Sequence, residues 1–169
     1  MNSDTGFFIL EVAAVIFVII LVIAMSWPFL WFHDKLGIQH DLQKIYNAVL
    51  YLQQKAKSNF ETEYLTFDIA KRTFTYNQQT YTLSSNVDFG TAPGIKGPPS
   101  APKKDILTPI TFDSKRIAFY PDGTISAGIV YMFDRKTKET FALTSSVSYI
   151  SFIRKYKFII GSGWTLIDS

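Results

Sequence analysis

The side chains that could do chemistry are few and far apart. His33 and His40 stand two helical turns apart, so they share a face but cannot close one ordinary metal site. Asp88-Phe89-Gly90 spells a kinase metal triplet, but the lysine strand, the catalytic loop and the glycine-rich loop that must accompany it are missing. Asp122 is explained by the Pro121-Asp122-Gly123 turn it sits in. No HExxH, no GxSxG and no clustered His/Asp/Glu set occurs, and the 14 acidic residues are spread out, which leaves a paired-carboxylate hydrolase little support. Cysteine is absent, which excludes disulfides, thiolate metal sites and cysteine nucleophiles. We therefore expect no catalytic residue, no cofactor and no metal, and read the chain as not an enzyme. One carboxylate does stand in a chemically demanding place. From Phe7 to Phe32 the only ionisable side chain is Glu11. In an apolar segment it costs on the order of a few kcal/mol and so needs a partner or a role.

The element that holds Glu11 is the apolar run itself. At ~1.5 Å per residue, a helix over Phe7–Phe32 is ~39 Å long, enough for a bilayer core of ~30 Å. The run exceeds the ~7–15 residues of a secretory h-region, and no small-residue cleavage motif closes it. The small residue stands before it instead, at Gly6. Pro28 lies inside the run, where it removes an amide donor and crowds the Ala24 carbonyl, so it should bend or loosen the helix there. Trp27, Trp31, Phe32 and His33 look like an interfacial belt. From Asp34 the pattern turns amphipathic: Ile38, Leu42, Ile45, Val49, Leu52 and Ala56 recur at steps of three and four, with Gln39, His40, Gln43, Lys44, Asn47 and Lys55 on other faces. One long helix over Phe7–Lys57 follows, ended by Ser58-Asn59.

Gly6-Phe7, three apolar residues, Glu11 and the long apolar helix together resemble the processing site of type IV pilins and type II secretion pseudopilins. The resemblance implies that a prepilin peptidase cuts between Gly6 and Phe7 and that the new Phe7 amine is methylated. Glu11 would then be the fifth mature residue and would serve assembly, and Pro28 would occupy the place of a family helix bend. The leader Met1–Gly6 carries Asp4 and no Lys or Arg, whereas leaders in this family are usually basic. The flanks disagree about orientation. Lys35 and Lys44 follow the run and no basic residue precedes it, a bias that favours a cytoplasmic domain, whereas the resemblance implies a periplasmic one.

After Glu63 the sequence becomes strand-like. Tyr64–Ile69, Thr73–Asn77 and Thr80–Ser84 are predicted strands, with a hairpin tip at Asn77-Gln78-Gln79. Five prolines and three glycines between Gly90 and Pro109 predict a long surface loop. Arg116–Tyr120 and Thr124–Asp134 form a hairpin about Pro121-Asp122-Gly123, with Ile125, Ala127, Ile129, Tyr131 and Phe133 expected on one face. Glu139–Thr144, Tyr149–Phe152 and Lys157–Ile160 are further strand candidates. Gly161-Ser162-Gly163 breaks the chain before a short apolar end, Trp164–Ile167.

The run Ile117–Gly123, with Gly128-Ile129-Val130 and a strand ending in Thr144-Ser145, resembles the C-terminal half of the GspH/FimT group of minor pseudopilins. Ser148-Tyr149 or their neighbours stand where many members carry a glycine-arginine pair. Major pseudopilins often hold calcium near the C-terminus. Here Gly161–Ser169 offers one carboxylate, Asp168, so no such site is expected.

The expected organisation is a leader 1–6, a transmembrane helix 7–33, its amphipathic continuation 34–58 and a globular β domain 59–169 that includes the loop 90–109. The fold class is α+β: a long N-terminal helix, half membrane and half amphipathic, with a C-terminal antiparallel domain of two packed sheets as a β-sandwich. A single four-stranded pilin sheet is the alternative. About 137 residues beyond Phe32 suit one globular domain. A net charge of +3 is mild, and the clusters Lys103-Lys104, Arg135-Lys136-Lys138 and Arg154-Lys155-Lys157 read as solvated turns and strand ends, so no nucleic acid is expected. The expected function is a structural subunit of a type II secretion pseudopilus or type IV pilus, a single-pass protein of the bacterial inner membrane. The partners the resemblance implies are the prepilin peptidase, other pseudopilins or pilins along the N-terminal helix, and the inner-membrane assembly platform. The alternative is a periplasmic β-sandwich binding module or enzyme that the helix merely anchors.

Overall fold

The computed structural model describes residues 4–145 and 153–167, with side chains at 11–25, 37–145 and 153–167. The elements run α1 (Asp4–Asn59), β1 (Glu63–Asp68), β2 (Thr73–Tyr76), β3 (Gln79–Thr82), β4 (Val87–Phe89), a 3-10 turn at Asp113–Lys115, β5 (Arg116–Phe119), β6 (Gly128–Asp134), β7 (Thr140–Ser145), β8 (Ile153–Ile159) and β9 (Gly163–Ile167). The fold class is α+β. The chain forms two compact units, residues 1–36 and 37–169. The second unit thus takes in the amphipathic part of α1 together with every strand.

Within that second unit the three-and-four spacing does what it implies. Ile38, Leu42, Ile45, Val49, Leu52 and Ala56 are all buried, joined by Ala48, while Gln39, His40, Gln43, Lys44 and Asn47 are exposed. Side chains of the size of Ile45 or Leu52 contribute roughly 1.5–3 kcal/mol each when fully buried. The stripe also contains a charge that its apolar spacing hides: Asp41 is buried, and its Oδ2 accepts the Ser84 amide at 2.6 Å. The helix stops at Asn59, and Phe60 turns left-handed with φ 56°.

The strands form two antiparallel sheets, ordered β3-β2-β1-β5 and β4-β6-β7-β8-β9, and not the single four-stranded sheet held as the alternative. β2 and β3 meet at a two-residue turn. Tyr76 faces Gln79, and Asn77 and Gln78 have φ 49° and 62°, the double left-handed pattern of a type I′ hairpin. Both sheets feed one core with α1: Leu65, Phe67, Phe74 and Ile117 from the first, Val87, Val130, Met132, Phe141 and Leu143 from the second. The Phe67 and Phe89 rings meet edge-on between the sheets at 5.6 Å.

Four expectations need correction. β4 is a strand the sequence reading does not contain; three residues are too few to show alternation. The strand predicted over Thr124–Asp134 begins only at Gly128. Ile125 makes an isolated bridge to Phe119 and joins the core, and the break at Ser126-Ala127 sets Ile129, Tyr131 and Phe133 on the opposite side of the sheet. The segment 90–109 lacks helix and strand, as expected of a loop, and it also covers that side of the second sheet. The Tyr131 hydroxyl donates to the Gly97 carbonyl at 3.2 Å, the Trp164 indole to the Lys96 carbonyl at 2.9 Å, and the Ala92 amide to Thr140 Oγ1 at 3.2 Å. Trp164–Ile167, expected as a short apolar end, is most of β9, and Ile160–Ser162 is the turn that leads into it. The strand expected at Tyr149–Phe152 lies outside the described residues, and β8 begins at Ile153, ahead of the expected Lys157.

Candidate functional site

Residues 11–25 make up the described side chains of the first unit. They are helical and exposed all round. Phe17 is 65% exposed and Met25 70%, and Val12, Val15, Ile16 and Val18 through Ile23 present further large apolar surface. A helix that is apolar on every side has no face suited to water, so this surface needs lipid or protein around it. Glu11 is the one ionisable group in this stretch and is exposed. The side chains of Gly6, Phe7, Pro28 and His33 lie outside the described residues. Among the described residues no helix is long and apolar enough to cross a membrane.

In the second unit the charged groups the sequence singles out are tied into structure. Asp88 takes Arg72 Nε at 2.7 Å on one oxygen and Arg135 Nε at 3.3 Å on the other. Arg72 lies in the turn between β1 and β2 of one sheet, and Asp88 lies on β4 of the other. Arg72 also donates to the Val87 and Ser84 carbonyls, so this cluster fastens the two sheets at one end. The triplet Asp88-Phe89-Gly90 is thereby accounted for: a carboxylate between two guanidinium groups, a core ring, and a glycine at φ 143°. Asp122 closes its own turn through Thr124. The Thr124 hydroxyl and amide both donate to its carboxylate, which holds it below the usual carboxylate range. His40 is exposed on α1.

The basic clusters do not merge into a stripe. Lys157 pairs with Glu139 at 2.7 Å, Lys155 sits 4.3 Å over the Tyr46 ring, and Arg135 is committed to Asp88. Arg135, Lys136 and Lys138 stand in the turn between β6 and β7, as expected, whereas Arg154, Lys155 and Lys157 lie within β8 and not at a strand end, which corrects the reading of that cluster.

Two tyrosines have displaced acidities. Tyr76 is pushed up to about 12 by its hydrogen bond with Tyr81 and by burial, and Tyr131 to about 12 by burial alone. Both are explained by packing. Tyr76 belongs to a stacked series with Phe74 and Tyr81, and Tyr131 lies under the 90–109 segment. A cleft of about 330 Å³ opens beside that segment, lined by Pro99, Ser100, Ile129, Thr144, Ser145, Arg154 and Tyr156. It brings together no acid–base pair and no nucleophile with a base. Among the described residues no group of three His, Cys, Asp or Glu side chains could hold a metal ion.

Sequence reasoning misses Asp41, the Arg72–Asp88–Arg135 cluster and the covering role of 90–109. All three join residues more than ten positions apart, and nothing local in the sequence marks such pairings. Neither a family model, nor a curated protein, nor a solved structure matches this chain.

Proposed function

We propose that this chain is a structural subunit of a filament of the type IV pilin and type II secretion pseudopilin kind, most like the GspH/FimT minor pseudopilins. In this reading the leader is cut between Gly6 and Phe7, and the new Phe7 amine is methylated. The apolar half of one long helix holds the subunit in the inner membrane before assembly and packs against neighbouring subunits afterwards. The amphipathic half is the spine of a periplasmic domain whose two sheets pack as a β-sandwich. Pro28 stands where the family carries its helix-bending proline. The prepilin peptidase, sister pilins and the inner-membrane assembly platform are the partners.

The observation that carries the reading is one carboxylate, Glu11, placed five residues after Gly6 on a helix otherwise apolar all round through Met25. A plain anchor gains nothing from a carboxylate that costs on the order of a few kcal/mol to bury in lipid. A subunit that must stop at one height against its neighbour gains a register mark. The shared core of the two sheets with α1 supports the sandwich.

Intact-mass and terminal-residue analysis of the protein from its native membrane tests the proposal. The expected product begins at Phe7 with a methylated amine, and Gly6→Val should leave the leader attached. A wild-type chain that keeps its leader, or a Gly6→Val chain of normal mature mass, returns the molecule to the anchored β-module reading.

A further inference from the structure

Among the described residues four strands stand at sheet edges: β3 and β5 in the first sheet, β4 and β9 in the second. An edge strand presents unpaired backbone donors and acceptors, and proteins ordinarily cover, shorten or charge it. β5 is covered: Ser126 donates its amide to the Ala118 carbonyl and its hydroxyl accepts the Ala118 amide, both at 2.9 Å. On β4 the Val87 carbonyl is taken by Arg72 at 2.7 and 3.0 Å. β3 is four residues long and mostly polar.

Among the described residues β9 has none of these protections. Gly163-Trp164-Thr165-Leu166-Ile167 contains no charge and no proline, and its one partner strand among the described residues is β8. No other backbone hydrogen bond reaches it among the described residues. Trp164 is already fixed, by its indole bond to Lys96 and by ring contacts to Phe158 at 5.4 Å and Tyr131 at 5.8 Å. Leu166, on the same side of the strand, is 52% exposed.

The strand is also complementary to itself. Laid antiparallel on a second copy about Thr165, it places Trp164 opposite Leu166 twice, Thr165 opposite Thr165, and Gly163 opposite Ile167. Thr–Thr is among the favourable cross-strand pairs, Trp164 against Leu166 buries apolar surface on both, and with no charge on the strand no like charges meet. We propose that β9 is a self-pairing edge: two copies of this chain join β9 to β9 about a two-fold axis at Thr165, merging two five-stranded sheets into one continuous sheet. The half-exposed Leu166 of each copy is then covered by the fixed Trp164 of the other. Confinement to one membrane or one filament raises the effective concentration at which two such edges meet. The pairing does not depend on processing at Gly6, so the two proposals stand or fall separately.

The chain has no cysteine, so single-cysteine variants report contacts cleanly. In the full-length protein in its membrane, Thr165→Cys should form a disulfide dimer under mild oxidation. The opposed Cβ atoms of directly facing residues lie ~4.5–5.5 Å apart, close to disulfide reach. Ile160→Cys, at the 94%-exposed turn before β9, is the collision control and should cross-link about tenfold less. Adding Leu166→Lys to Thr165→Cys sets two like charges beside the axis and should cut the dimer about tenfold. Equal cross-linking at Ile160 and Thr165, no dimer at Thr165, or a Thr165 adduct with a different protein overturns the proposal.

Discussion

Gly128 opens β6 directly beneath the Phe112 ring. A Cβ placed on Gly128 would lie 2.5 Å from two ring carbons of Phe112 and 2.8 Å from a third, where relaxed carbon contacts are ~3.5–4.0 Å. The ring must therefore move by roughly 1 Å, and it is buried in the core. Nor can the backbone carrying it withdraw freely. The Thr111 amide donates to the Ile129 carbonyl at 2.9 Å, and the Ile129 amide to the Thr111 hydroxyl at 2.8 Å. Retreat of Phe112 strains both bonds, each worth about 1 kcal/mol, and overpacking a filled core costs ~1–3 kcal/mol. We expect Gly128→Ala to destabilise the folded domain by about 2–3 kcal/mol. Urea unfolding of the full chain in detergent, followed by tryptophan fluorescence, measures this. Phe112→Ala should lose stability alone but recover part of the Gly128→Ala loss in the double variant, because the colliding Cγ, Cδ1 and Cδ2 are gone. A Gly128→Ala midpoint within error of the wild type, or strictly additive losses, would refute the steric account.

If the proposed filament role holds, Glu11→Val should still enter the membrane and be cut at Gly6, yet be largely missing from sheared filaments or cross-linked tip complexes, with Glu11→Asp intermediate; wild-type incorporation of Glu11→Val removes the register role. Asp41→Ala leaves the part-buried Ser84 amide without its acceptor and should cost about 1 kcal/mol, whereas Gln43→Ala on the exposed side of the same helix should stay within ~0.5 kcal/mol in the same urea assay. Tyr76 and Tyr131 are raised from 10.0 to about 12 on folding, so the folded state favours the protonated phenols. Their stabilisation is complete below pH 10 and fades as pH climbs toward 12; ultraviolet titration should show two phenols ionising late, and both ionising with the exposed tyrosines would refute it.

What the sequence discloses and what it hides divide along physical lines. The α1 stripe was readable because helical spacing is a local property: each of the six residues from Ile38 to Ala56 taken to form it is buried. The β2–β3 hairpin was readable because a two-residue turn fixes its own register. The strand before Asp134 is only partly legible because alternation counts positions without seeing a break. Two irregular residues at Ser126-Ala127 send Ile125 to one side of the fold and Ile129 to the other. Asp41 was passed over because a polar residue at an apolar step looks like an interruption; its partner, Ser84, is 43 positions away. The covering role of 90–109 was hidden for a related reason. Proline and glycine forbid regular hydrogen bonding within the segment but say nothing about what its carbonyls accept, and here they accept Tyr131 and Trp164.

An apolar helix that looks alike from every side poses a problem that the β domain does not share. In the core each strand has one register that buries its apolar face, because a slip of one residue turns that face to water. The helix over Val12–Met25 has no such constraint: sliding or rotating it against an apolar neighbour exchanges one apolar contact for another. Only a group whose burial is costly unless partnered can make one height better than the rest. In this stretch that group is Glu11, the one ionisable side chain between Phe7 and Phe32. In the proposed filament the amine of a neighbour's Phe7 completes the pair. The energy gap that sets the height is then the cost of leaving both charges unpaired, which packing of valines and isoleucines alone cannot supply.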